Sequence, residues 1–423
     1  MDEEEDAAPP KPTPYPRDRG AAEEVVSDEH AADGEVPEEE ELVAEEPRRR
    51  RRPGRIARRA VVALVSVVAL VATGYAYLTY HQVQGDLHTT DILSQPGDDA
   101  KAPPADDGAE DILLAGVDAR TDQQGNPLPL SVLKELRTEQ TGAINTDTLI
   151  ILRVPKNGGK PTAISIPRDT WVDTPSGGQA KINSVFGMAK AAAANQLRAQ
   201  GERDQAELER DSDQAGRKAL VQTIQDFTQV RIDHYAEVNL LGFYLITEAL
   251  GGVQVCLNHA TEDKDSGADF AAGLQTVTGG EALSFVRQRK NLPRGDLDRI
   301  VRQQVFLGSA LHKVLSAGVL TNPGKLSDLT DALHRSLILD PGFDLLQFAD
   351  KAKNLASGDV RFDTIPTITI NGRSPDGQSI VQVDPVAVQR YIASLAVQPS
   401  GGGAAAPAAP LAQRTVSGVT CVN

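Results

Sequence analysis

Along the second two-thirds of the chain the apolar positions switch repeatedly between two spacings. Short continuous apolar runs, ILLAGVD from Ile112, TLIILRV from Thr148 and TAISI from Thr162, predict buried strands, with the KNGGK sequence Lys156–Lys160 as the turn between the last two. A helical period follows over Met188–Arg198 and Gln214–Thr228, joined by a charged connection. Tyr235–Leu240 reads as a strand and Leu241–Leu250 as a helix, and Gly251-Gly252 leads into a strand over Val253–Leu257. Further on, helices are expected over 326–336, 343–356 and 385–396, and strands around 360–370 and 379–383. No internal repeat interrupts this order. Strands alternating with helices predict an α/β fold with a central sheet covered by helices.

One apolar run has no period at all. Ala60–Tyr80 holds twenty-one residues without a charge, enough to cross a hydrocarbon layer of about 30 Å. It is too long and too far from the N-terminus for an ordinary cleaved signal peptide. Eight arginines lie between 48 and 59, and the positive-inside tendency then keeps the N-terminus cytoplasmic and puts everything after Tyr80 outside. Charge sharpens the division. The formal net charge is -16 over 423 residues, but residues 1–46 carry -15 of it and are expected to be disordered. The organisation expected is therefore an acidic cytoplasmic tail with a basic juxtamembrane segment (1–59), a transmembrane helix (60–80), a polar linker (81–108), a folded extracytoplasmic catalytic domain with a C-terminal extension (109–398), and a Gly/Ala/Pro-rich tail (399–423) that carries Cys421. Basic residues form no stripe through the folded part, which argues against nucleic acid as a partner.

Chemistry concentrates in Glu281–Gln304, where Arg287, Arg289, Lys290, Arg294, Arg299 and Arg302 face only Glu281, Asp296 and Asp298. Pro293-Arg294-Gly295 breaks the stretch into two helical pieces, with Asp296 at the N-cap or first turn of the second. Guanidinium groups around a turn suit phosphate oxygens, which they bind through two parallel hydrogen bonds. Elsewhere there is no Walker loop, no G-x-S-x-G elbow and no Cys/His metal spacing, and His234 reads as structural. Carboxylates and arginines do recur at strand ends, as Asp118, Arg120, Asp147 and Arg168. Each taken alone is a cap or a surface ion pair. Together, outside the membrane where ATP is scarce, two aspartates with several arginines match what a magnesium-bound, lipid-linked pyrophosphate needs.

The segments ILLAGVDAR, NTDTLIILRV, AISIPRDTWV, KINSVF, HYAEVNLLGFYLITEALGGVQVCL and FVRQRKNLPRGDLDRIVRQQ, in this order over about residues 110–315, resemble the LytR-CpsA-Psr family. The resemblance implies a three-layer α/β/α fold with a central mixed β-sheet and an apolar groove for a polyprenyl tail. It implies a Mg²⁺-dependent phosphotransferase that attaches polyprenyl-pyrophosphate-linked glycopolymers, of teichoic acid, arabinogalactan or capsule type, to peptidoglycan hydroxyls, with a pyrophosphatase side activity as a corollary. By motif match, Asp118 and Asp147 are the metal carboxylates. Arg120, Arg168, Lys181, Arg287, Arg289, Arg299 and Gln303 hold the pyrophosphate, and Arg287, Arg289, Asp296 and Arg299 act on the reacting group. The general base is unassigned, with Asp296 a candidate. Two departures stand out: Asn239 occupies a position often held by aspartate, and the insert between Asp118 and Asp147 is longer than in many members. A non-enzymatic lipid-pyrophosphate scaffold and a cell-envelope transcriptional attenuator are the rival readings. An extracytoplasmic domain without a DNA-binding motif speaks against direct regulation.

Cys256 and Cys421 both fall in the part expected outside the membrane, where disulfides persist. A bridge between them would tie the C-terminus to the core; two buried thiols are the alternative.

Overall fold

The strand Ala109–Val117 lies at the centre of a seven-stranded sheet, and the rest of the fold is arranged on its two faces. This computed structural model describes residues 73, 88–93, 103–104, 107–138, 144–157, 159–315, 323–335, 337–344, 360–396 and 415–423. The acidic tail, the apolar run 60–80 apart from Thr73, much of the linker, most of the helix expected over 343–356 and the Gly/Ala/Pro stretch 400–409 lie outside these residues. Among the described residues no helix is long and apolar enough to cross a membrane. The chain divides into two units, Met1–Ser66, which lies outside the described residues, and Val67–Asn423, to which all the elements below belong.

In chain order the elements are β1 (His88–Thr89), β2 (Ala109–Val117), α1 (Leu130–Glu135), β3 (Thr146–Pro155), β4 (Thr162–Ser165), β5 (Trp171–Asp173), β6 (Gln179–Lys181), α2 (Ile182–Gln200), α3 (Gln205–Thr228), β7 (His234–Asn239), α4 (Leu240–Ala249), β8 (Val253–Leu257), β9 (Thr261–Asp263), β10 (Ala268–Phe270) and β11 (Gly273–Val277). They continue as α5 (Gly279–Arg287), α6 (Asp296–Leu315), α7 (Pro323–His334), β12 (Leu337–Leu339), β13 (Arg361–Thr364), β14 (Thr369–Arg373), β15 (Ser379–Gln382), α8 (Pro385–Ala396), β16 (Thr415–Val416) and β17 (Val419–Val422). The central sheet runs β1-β12-β7-β2-β3-β4-β13. It is mixed: β2 is parallel to β7 and antiparallel to β3, and β4 is parallel to β13.

Side-chain alternation along β2 builds the layers. Leu113, Ala115 and Val117 pack with Ile182 and Phe186 of α2, Leu220 and Ile224 of α3, and Val388 and Ile392 of α8. Ile112, in the opposite phase, packs with Ile150, Leu152 and Leu339, and Leu307 and Leu311 of α6 lie against that cluster. Both faces are therefore covered, which is why β2 reads as a continuous apolar run. Each such fully buried aliphatic side chain contributes on the order of 1.5–3 kcal/mol.

A second sheet, β11-β8-β17-β16, carries its own core with α4, α5 and α6. Here the sequence reading needs correction. The hairpins β5–β6 and β9–β10 and the terminal pair β16–β17 were not expected. The last residues are no loose tail. Strand β17 runs parallel to β8 with Cys421 opposite Cys256, and the two sulfurs are bonded.

Candidate active site

Antiparallel pairing of β2 and β3 brings the two predicted metal carboxylates to one end of the sheet. Gly116 pairs with Thr148 but Val117 pairs with Thr146, so Asp147 is the extra, bulged residue of β3. A bulge re-aims a side chain at a strand end, and it turns Asp147 towards Asp118. Gly116 makes room for it: a Cβ there would lie 3.0 Å from Cβ of Thr148. The Asp118 carboxylate accepts from the main-chain N–H of Asn145 at 2.5 Å. Burial pushes the Asp118 carboxyl above its ordinary range and the Asp147 charge adds to that, while Arg120 and Arg287 oppose it. Asp147 accepts a hydrogen bond from Arg168 Nη1, through an exposed-edge ion pair.

Arginines converge on this pair from three directions. Arg120 follows β2, Arg168 follows β4 and Pro167, and Arg287 ends α5. Arg299 lies one turn into α6, only 2% exposed, with Nη2 2.7 Å from Asp296 Oδ1. Burial lowers the pKa of Arg287 and of Arg299, against the raising fields of Asp147 with Asp118 and of Asp296 with Asp147 respectively; both stay charged. The buried Nε–H groups of Arg120, Arg168 and Arg299 have no hydrogen-bond partner, although Arg168 Nε lies 3.6 Å from Asp169 Oδ1, and Oδ2 of Asp296 has none either, its Oδ1 being ion-paired to Arg299. Orphaned donors also occur on Arg153 and Arg302, so the distinguishing feature is that these three surround the two carboxylates. Burial raises the Asp296 carboxyl, offset by Arg299 and reinforced by Asp169.

Three further predicted residues are placed around this group. Arg289 is exposed at the rim, near enough to Asp296 for its charge to act on that carboxyl. Lys181 Nζ pairs with Asp169 at 3.1 Å, a residue the sequence reading passed over. Gln303 Nε2 donates to Val286 O at 3.2 Å and so braces α6 against α5. Asn239 caps α4 by accepting from Gly242 N at 2.8 Å, a role that asparagine fills as well as aspartate.

Support for the arginine turn was also missed. Asp263 Oδ2 accepts from the main-chain N–H groups of Arg289 and Lys290, both at 3.2 Å. Burial pushes that carboxyl up, but these backbone bonds prevail and hold it below its ordinary value. Buried Arg302 donates from Nη1 to Gln288 Oε1 at 2.7 Å and from Nε to the main-chain oxygen of Asn423, linking the turn to the C-terminal strand. No local pattern in the sequence announces these pairings, because each joins elements far apart along the chain.

The LytR_cpsA_psr family model matches residues 75–395. The chain belongs to the LytR-CpsA-Psr family. Among its relatives is the cell wall biosynthesis protein LcpA of Corynebacterium glutamicum, 48% identical over 77% of this chain and 63% of that protein. The chain thus spans less than two thirds of LcpA's length. A polyisoprenyl-teichoic acid–peptidoglycan teichoic acid transferase, TagU of Oceanobacillus iheyensis, is 29% identical over 67% of this chain and 77% of that protein. The crystal structure of B. subtilis TagV aligns with 68% of this chain and 96% of its own at 21% identity, with a TM-score of 0.48.

Among the described residues no group of three or more His, Cys, Asp or Glu side chains converges on a point. The two carboxylates alone suit a cation such as Mg²⁺, which is ordinarily held by one or two carboxylates and completes its shell with water and phosphate oxygens. Burial above all, and the neighbouring Asp147 charge to a lesser degree, raise the Asp118 carboxyl, and a divalent ion would offset both.

Proposed function

We propose that this family member is an extracytoplasmic glycopolymer transferase, anchored by the apolar run 60–80, that moves a polyprenyl-pyrophosphate-linked polymer onto a peptidoglycan hydroxyl. The observation that carries this reading is the trio of orphaned, buried guanidinium N–H donors around Asp118 and Asp147. Charged donors held in place without partners are arranged for a ligand rich in anionic oxygens. The transferase activity of TagU and the cell-wall role of LcpA support the same class.

In the reaction the acceptor hydroxyl attacks the polymer-side phosphorus, a new P–O bond forms, and the bond to the bridging oxygen breaks to release polyprenyl monophosphate. Arg120, Arg168 and Arg299 hold the non-bridging oxygens, and Arg287 and Arg289 approach from the turn. Their fixed positive charge favours the transition state over the ground state where negative charge grows on the leaving phosphate. Burial raises the Asp296 carboxyl, and with Oδ1 held by Arg299 at 2.7 Å its Oδ2 is left without a hydrogen bond, which suits it to take the hydroxyl proton. Mg²⁺ at Asp118 and Asp147 would supply further neutralisation of the phosphate oxygens. No protein nucleophile is required.

The test is reconstitution with a synthetic polyprenyl-pyrophosphate oligosaccharide and a soluble peptidoglycan fragment. Mass spectrometry should find a phosphodiester-linked glycan and free polyprenyl monophosphate. Tight binding of the lipid with no such product, across acceptors, would leave the scaffold reading in its place.

A further inference from the structure

A cavity of about 310 Å³ lies against the loop that follows β2. Its wall includes Ala119, the residue between Asp118 and Arg120, and also Thr121, Gln123, Asn239, Gln214 and Arg217. The volume is at the small end of ligand pockets, which run from about 300 to 1,000 Å³.

Both cationic side chains of this cavity are already engaged, and the acidic Asp122 and Asp211 line it as well. Arg217 donates to both oxygens of Glu237, at 2.8 and 3.0 Å. Asp213 is met by Lys190 at 2.7 Å, and Arg210 Nη1 is bound to Gln124 O at 2.7 Å. With both arginines of the wall occupied, an anion finds no partner here. What does stand open is Gln123 Oε1, a buried acceptor without a hydrogen bond. Buried acceptors are nearly always paired, so a group that donates from a neutral ligand is the natural complement. The loop is held firmly enough to present it: Thr121 pairs with Pro127, and Asn239 Nδ2 donates to Thr121 O at 3.2 Å.

We propose that this cavity is a sugar subsite, taking one neutral, hydroxyl-rich ring of a glycan beside the transfer centre, with Gln123 Oε1 accepting from a ring hydroxyl. The proposal rests on the glycopolymer-transferase reading, and Ala119 links the two sites through Asp118 and Arg120. The ring could come from the acceptor peptidoglycan or from the first sugar of the donor.

Calorimetry on the full chain in detergent separates these. One arm titrates a soluble, phosphate-free peptidoglycan disaccharide-peptide; the other titrates the oligosaccharide released from the lipid-linked donor by mild acid and dephosphorylated. One of the two should bind the wild type. Gln123→Leu should weaken it about tenfold, as expected for one lost hydrogen bond to a buried acceptor. Gln123→Glu, which keeps the acceptor, should retain binding, and polyprenyl pyrophosphate should bind all three proteins alike. Failure of both sugars to bind, equal sugar binding by Gln123→Leu and wild type, or joint loss of sugar and lipid binding in Gln123→Leu would overturn the subsite. Failure of polyprenyl pyrophosphate to bind the wild type would instead remove the transferase reading, whatever the sugars do.

Discussion

At the scale of single residues, the site under the proposed reading divides into groups for the cation and groups for the anion. Asp147→Ala should raise the Mg²⁺ concentration needed for half-maximal transfer. Arg289→Lys should lower turnover without moving that midpoint, because an ammonium cannot make two parallel contacts. A magnesium titration of both variants checks this; equal midpoints for Asp147→Ala and wild type would remove Asp147 from the metal set. A second residue-scale prediction lies at the other end of the sheet. His234 Nδ1 is 3.1 Å from Asp340 Oδ2, and this hydrogen bond raises the imidazole above its usual 6.5 despite the opposing effect of burial. A raised folded value means that the stabilisation is complete below about 6.5 and fades as pH rises through the folded value. His234→Gln should therefore lower the melting temperature more at pH 5.5 than at pH 8.5. A deficit independent of pH would show that the pair contributes by shape alone.

At the scale of elements, the C-terminal strand is tied to the fold twice, to β8 by the Cys256–Cys421 bond across 165 residues and to the loop after α5 by Arg302, which joins Gln288 to Asn423. Closing so long a loop stabilises by up to about 4–5 kcal/mol on chain-entropy grounds. Cys256→Ser should lower the melting temperature by several degrees, and a reductant should bring the wild type down to the variant's value while leaving the variant unchanged. No difference between them would mean that β17 is held without the bond. These ties mark the limit of what the chain reveals by itself. Strands β2, β3 and β8 and helix α8 were legible because their periods are local, and Asp118, Asp147 and Arg168 were legible as polar residues at strand ends. The bulge at Asp147, the Asp263 and Gln288 supports and the hairpin at Val416–Val419 were not, since register and long-range pairing leave no periodic trace. Arg294 shows the same limit in energetic form. It reads as a free turn residue, yet it is ion-paired to buried Asp298 at 2.7 Å while itself 58% exposed, a pair worth about 0–1 kcal/mol.

At the scale of the whole molecule, the sequence sets an acidic stretch and an arginine belt before the apolar run and the α/β fold after it, with the candidate site at one end of the mixed sheet. The arginine belt predicts that a tag at Met1 is protected in intact cells while one beyond Asn423 is accessible to added protease. The reverse result would separate the fold from its wall substrate. The central claim is that the arginines form a shaped pyrophosphate pocket and not a general basic surface. Its most direct measurement is native mass spectrometry of the detergent-solubilised chain with polyprenyl pyrophosphate and polyprenyl monophosphate, in wild type, Arg287→Ala and Arg294→Ala. The pocket predicts that wild type and Arg294→Ala prefer the pyrophosphate alike, and that Arg287→Ala loses about tenfold or more of that binding. Equal losses in the two variants, or no preference between the two lipids in the wild type, would contradict it.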